Sequence, residues 1–124
     1  MGELIRENGD ISINTNILIK KEDGIFVAHC LEMDIVATGD TADQAQRECI
    51  SLICAQIEYA FAHDNLDNLL HSAPPSVWSE FFACKEQREM RYKIEKRFEE
   101  ANQKSFLPTW LTARTCNMAT ACHA

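Results

Sequence analysis

Long apolar runs are missing from this 124-residue chain. Each is broken within a few residues, far below the ~18–20 that a bilayer-crossing helix needs, so no helical membrane anchor is expected. No leader is expected either. Met1-Gly2-Glu3-Leu4-Ile5-Arg6-Glu7 brings in acid early and has no apolar stretch, and Arg6 stands where a myristoylation signal requires Ser or Thr. The chain is therefore expected to stay in the cytoplasm. There is no internal repeat, no low-complexity stretch and no C-x-x-C pair. With no secretion signal and a normal core expected, the six cysteines, Cys30, Cys49, Cys54, Cys84, Cys116 and Cys122, read as reduced thiols rather than as a disulfide framework. Cys49 and Cys54, five apart on an expected helix, share no face well. Cys116, Cys122 and His123 lack a recognisable ligand spacing, so neither a metal nor another cofactor is expected.

Positive charge is scarce over most of the chain. Residues 1–84 hold only Arg6, Lys20, Lys21 and Arg47 against fourteen Asp and Glu, a net of −10. Residues 85–124 hold the other eight basic residues and five acids, a net of +3. An acidic body repels nucleic acid and attracts a basic protein. The basic C-terminal segment either folds back on that body, reaches another polyanion, or is a solvated mixed-charge surface.

What is present is a core's worth of apolar residues, 46% of the chain, enough for one domain of this length. Residues 1–10 are polar and read as a loose lead-in. From Ile11 the pattern has period two, with Ile11, Ile13, Thr15, Ile17 and Ile19 on one face and Ser12, Asn14, Asn16 and Lys20 opposite, which predicts a strand buried on one side. Lys21-Glu22-Asp23-Gly24 is a hairpin turn in which Gly24 supplies the positive φ. Ile25 to Cys30 and Ile35 to Thr38 follow as two more strands of an antiparallel meander.

Gly39-Asp40-Thr41 ends the sheet and opens a helix. Thr41 is an N-cap with Gln44 as its reciprocal partner, and Asp40 and Asp43 suit the positive end of the helix dipole. Ala42, Ala45, Cys49, Leu52, Ile53, Ile57, Ala60 and Phe61 mark an amphipathic helix from Thr41 to about His63 that covers the sheet. Asp64-Asn65 and Pro74-Pro75 bracket a looser connector. Ser76 is placed to cap a short helix carrying Val77, Trp78, Phe81 and Phe82. Residues 90–98 fit a helix by Met90, Ile94 and Phe98, and a strand by Met90, Tyr92 and Ile94. Trp110 to Cys116 suits a last strand. The expected fold is α+β: an antiparallel three- to four-stranded sheet covered on one face by a long helix, of β-β-β-α-β type. Residues 1–75 form the main unit, and 76–124 form a C-terminal extension of helix plus strand packed on it.

Two glycine-centred steps at this separation, with Gly24, Phe26, Val27 and Ala28 in the first and Gly39, Asp40, Thr41 and Ala45 in the second, resemble the HicB family of antitoxins over roughly residues 11–65. Many members of that family carry a Pro-Asp-Leu-Pro-Gly segment between the second and third strands, where this chain has Leu31-Glu32-Met33-Asp34-Ile35. The resemblance implies a degenerate ribonuclease-H-like or double-stranded-RNA-binding-like domain. It also implies a partner, a small basic HicA-type toxin that cleaves messenger RNA and is masked by the antitoxin. Many members add a DNA-binding module that acts on their own promoter. Residues 85–124 show no helix-turn-helix pattern with a glycine-containing turn, so promoter DNA is not supported by the sequence, and only the +3 charge of that segment keeps it open.

Gly24, Phe26, Gly39, Asp40, Thr41 and Ala45 are explained by folding and point to no site. Catalysis is not expected: the acids fall in turns and strand ends, His29 and Cys30 point to opposite faces of a strand, and His63, His71 and His123 have no nucleophile nearby. The expected function is non-catalytic masking of a basic ribonuclease, with Glu22, Asp23, Glu32 and Asp34 as contacts. The alternatives are a regulatory or structural module that self-associates through a sheet edge or the Trp78/Phe81/Phe82 cluster, and DNA binding through the basic segment. A homo-oligomer fits all of these.

Overall fold

The computed structural model describes residues 3–7, 10–63, 65, 68–93 and 110–118. In chain order its elements are β1 (Glu3–Glu7), β2 (Asp10–Glu22), β3 (Ile25–Cys30), β4 (Ile35–Gly39), α1 (Ala42–Ala62), α2 (Pro75–Ala83), β5 (Gln87–Lys93) and β6 (Trp110–Asn117). The fold is α+β, with α1 laid across one sheet. None of its helices is long and apolar enough to cross a membrane among the described residues.

The meander forms as its pattern dictates. Glu22 pairs with Ile25, leaving only Asp23 (φ 54°) and Gly24 (φ 80°) to reverse the chain. Two left-handed residues in sequence suit a two-residue type I′ hairpin. β3 then pairs antiparallel with β4, from Phe26 opposite Gly39 to Cys30 opposite Ile35. Lys21 lies over the Phe26 ring, 5.3 Å from its centroid, so the hairpin shields its own aromatic residue.

The step from β4 into α1 is built by contact. A Cβ on Gly39 would lie 2.6 Å from the Ala45 backbone nitrogen and 2.9 Å from Gln44 Cβ, so only a bare Cα lets the first turn of α1 sit against the strand end. Thr41 Oγ1 accepts from the Gln44 backbone N–H at 3.0 Å. Gln44 Oε1 in turn accepts from the Asp40 N–H at 2.9 Å, one residue further back than the usual reciprocal partner. Thr41→Ala is expected to cost about 1 kcal/mol, read from the shift of a urea-unfolding midpoint.

α1 buries Ala45, Cys49, Ile50, Ile53, Ile57 and Ala60 against Ile13, Ile17 and Ile19 of β2 and Ala28 and Cys30 of β3. Leu52, expected on this stripe, is 43% exposed, and Ile50 takes the inward place instead. Helical rotation of about 100° per residue puts Ile50 and Leu52 on opposite flanks of the Cys49–Ile53 stripe, and only the Ile50 flank is covered.

Around this unit the sheet is larger than expected, and mixed. Its order is β4-β3-β2-β6-β5, with β1 also on β2. β6 pairs parallel with β2 from Ser12/Trp110 to Ile19/Asn117, and β5 pairs antiparallel with β6. The chain after residue 75 therefore contributes strands to the same sheet. Residues 3–7, expected as loose, form β1 because Leu4 and Ile5 register against Ile13 and Ser12 of a long β2 that β3 leaves half uncovered. Residues 87–93 are strand, since β6 offers an edge to pair with, and Ile94 to Phe98 lie outside the described residues.

The face away from α1 is partly covered as well. Leu18, on the polar side of the β2 pattern, is buried with Leu31, Ala73, Phe81 and Cys116, and Val77 and Trp78 of α2 pack onto them. Ser76 is not the cap of α2: Pro74 holds that position with no side-chain bond, and Pro75 opens the first turn, where no N–H is required. Of the aromatic cluster Phe81 is buried, Trp78 is half-buried and donates to Ser72, and Phe82 is 69% exposed. Cys84, at the end of α2, is disulfide-bonded to Cys116 of β6, thirty-two residues away. This corrects the expectation of six reduced thiols: two cysteines far apart in sequence meet because α2 folds back over β6.

Candidate functional site

From Glu22 to Gln46 the chain holds six carboxylates, Glu22, Asp23, Glu32, Asp34, Asp40 and Asp43, and no Lys or Arg. This stretch is β3, β4 and the start of α1, one side of the sheet. The opposite side is β5, with Arg88, Arg91 and Lys93, next to Arg114 of β6. The charge imbalance along the sequence thus becomes an imbalance across the fold.

The acids fall at two ends of β3. Glu22 and Asp23 occupy the hairpin tip, exposed, at the end where β4 delivers Asp40 and Asp43 to the helix start. Glu32 and Asp34 lie at the other end, in the β3–β4 connection. The four expected contact residues are therefore two pairs separated by the length of a six-residue strand.

Only three of the four are exposed. Glu32 is 2% exposed and its carboxylate is engaged. β1 covers Asp10 to Asn14 of β2, and β3 covers Ile17 to Glu22, so on the edge away from β6 no strand among the described residues lies beside Thr15–Asn16. Glu32 Oε1 accepts the Asn16 backbone N–H at 2.7 Å and Oε2 accepts Asn16 Nδ2 at 2.5 Å, while the Asn16 carbonyl accepts from Leu31 N–H at 2.9 Å. A side chain and one backbone group do here what a neighbouring strand would do. Burial raises the Glu32 pKa, and the Asn16 hydrogen bonds pull against it.

Asp34, at φ 54°, turns the connection back so that its Oδ1 lies 2.6 Å from His29 Nε2. His29 faces the open side of β3, and Cys30 faces the core. Beside Glu32 a polar cleft of about 240 Å³ is lined by Asn14, Asn16, Thr112, Arg114 and Glu89, with Arg114 Nη2 3.5 Å from Glu89 Oε1. No group of three His, Cys, Asp or Glu side chains is arranged to hold a metal among the described residues. Cys122 and His123 lie outside them, and Cys116 is in the disulfide.

Cys30 and Cys49 are buried neighbours between β3 and α1. Burial pushes Cys49 up to about 12 and Cys30 higher still, with Cys49 adding to the rise. Neither supplies a thiolate near neutral pH. In the native protein at pH 8, iodoacetamide is expected to leave both unmodified, and mass spectrometry after denaturation should show both labelled. Rapid native labelling of either would contradict their placement.

The pattern did not single out Val36. It is 50% exposed on β4, the last strand on the acidic side. The signal available was an uncharged run, Ile35-Val36-Ala37-Thr38, set between Asp34 and Asp40. No protein-family model, curated protein or solved structure matches the chain.

Proposed function

We propose that this chain is a non-catalytic, antitoxin-like binding protein whose partner is a small basic protein, as its resemblance to the HicB family implies. The observation that carries this reading is the one-sided charge: five exposed carboxylates of residues 22–46 lie on one side of the sheet, in a stretch with no Lys or Arg of its own and with Lys21 packed against it at Phe26. Opposite fields speed encounter and disfavour wrong partners, and nucleic acid is among those they disfavour. The contact residues on this reading are Glu22, Asp23, Asp34 and Asp40, with Glu32 holding the β3–β4 connection in shape from beneath.

The test is co-expression with the short basic protein encoded beside this chain. The neighbour alone should arrest growth, and co-expression should relieve it. The purified complex should weaken as salt rises from about 0.05 to 0.5 M, because exposed charges are screened over shorter distances. A neighbour that is harmless alone, or whose toxicity persists on co-expression, would remove the reading.

A further inference from the structure

The two strands that end the β4-β3-β2-β6-β5 path meet solvent differently, β1 being paired off that path. β5, Gln87-Arg88-Glu89-Met90-Arg91-Tyr92-Lys93, places charge along its whole length. Charged side chains on an edge are a common way to block unwanted pairing. β4, Ile35-Val36-Ala37-Thr38-Gly39, has no charge and no proline, and three of its five residues are β-branched. α1 packs on one face of it, burying Ala37. The other face presents exposed Val36 and Thr38, and Ile25 at the start of β3 is exposed as well. Among the described residues no strand pairs with the outer edge of β4. Its outward backbone groups are a template for one more strand.

The flanks decide what that strand can be. Asp34 precedes β4 and Asp40 follows it. Two copies of β4 paired antiparallel would set Asp34 of one near Asp40 of the other, and a parallel pair would set like residue against like. Both juxtapose negative charge, which destabilises pairing. An extended segment with cations at its ends meets attraction at both.

We propose that the outer edge of β4 receives, by strand addition, an extended segment of the basic partner: a short β-branched run bounded by Lys or Arg. This rests on the basic-partner reading and names the contact through which it acts. Backbone hydrogen bonds supply the affinity, the exposed Val36 face supplies apolar burial, and Asp34 and Asp40 select the charge.

The probe is a synthetic peptide, Lys-Arg-Val-Thr-Val-Thr-Val-Lys-Arg, followed by residue-resolved hydrogen exchange of the whole chain. Added peptide is expected to slow exchange within Ile35–Gly39, while a version with Glu in place of each Lys and Arg leaves exchange unchanged. Val36→Lys, which puts a charge on the open face, and Asp40→Lys, which reverses a flank, should each weaken peptide binding about tenfold. Both residues are exposed, and an unchanged circular dichroism spectrum verifies that each variant folds. Protection confined to another element, or equal binding of the acidic peptide, overturns the proposal. So does protection of β4 that grows with protein concentration without peptide, since a second copy would then be the occupant. If this chain relieves the toxicity of the basic neighbour yet β4 stays unprotected in their complex, strand addition fails and the partner reading survives. If the peptide protects β4 but no basic neighbour is toxic, the outcome is the reverse.

Discussion

Gly39→Ala is expected to destabilise the chain by about 3 kcal/mol, the upper part of the range for forcing atoms into a packed site. The clash is with backbone: Ala45 N at 2.6 Å belongs to the first turn of α1, and no side-chain rotation relieves it. The strand end or the whole helix must shift, and α1 covers β2, β3 and β4 together. Gly24→Ala is the useful comparison. Nothing lies within 4 Å of a Cβ there, so its penalty is conformational only, φ being +80°, and about 1 kcal/mol is expected. Urea unfolding of the two variants at equal m-value separates steric from conformational glycine. Equal losses would refute the close approach of β4 and α1.

Glu32→Ala should be about as damaging, near 3 kcal/mol. It strands the Asn16 backbone N–H and the Asn16 side-chain amide, both of which Glu32 accepts, and it leaves a gap at the interrupted edge of β2. Glu32→Gln keeps one acceptor and the volume, and a flip of the Asn16 amide restores the second bond, so its loss should be about 1 kcal/mol. The pair also carries a pH signature. Because burial raises the folded-state pKa above the 4.5 of the unfolded chain, the folded protein binds more protons between those values. Stability from this group therefore falls as pH rises from about 4.5 through the folded pKa, and then levels. The difference between wild type and Glu32→Gln across that range isolates the effect from the other eighteen carboxylates. A flat difference would mean that Glu32 is not held in a desolvated site.

Much of the β2–β3–β4–α1 unit was legible because each part is set by local rules. The Ile13/Ile17/Ile19 alternation, the Asp23-Gly24 turn and the Thr41/Gln44 cap each act within a few residues, and all fall where the pattern placed them. What escaped depends on residues far apart. Leu18 sits among polar neighbours in the pattern, and its burial becomes intelligible only once α2 returns over it. The pairing of Cys84 with Cys116 needs the same return. β5 was ambiguous because its charged, exposed sequence is compatible with either element until β6 provides an edge. Of the candidate contacts, Asp23 and Asp34 do more than carry charge, since both adopt left-handed backbone at turns. Glu32 looked like its neighbours in sequence, and only the interruption between β1 and β3 gave it a different environment.

The interior position of β6, between β2 and β5, has a consequence for biosynthesis. β2 is translated well before the strand that runs alongside it from Ser12 to Ile19, whose residues follow their partners by 98 positions. Until then the nascent chain can close only its local hairpins and α1, with one flank of its longest strand bare. Pairings of such high contact order are slow to form and exposed to misassociation. A pulse-chase experiment should find protease resistance arriving only after the Trp110–Asn117 segment has cleared the exit tunnel, in one late step rather than gradually.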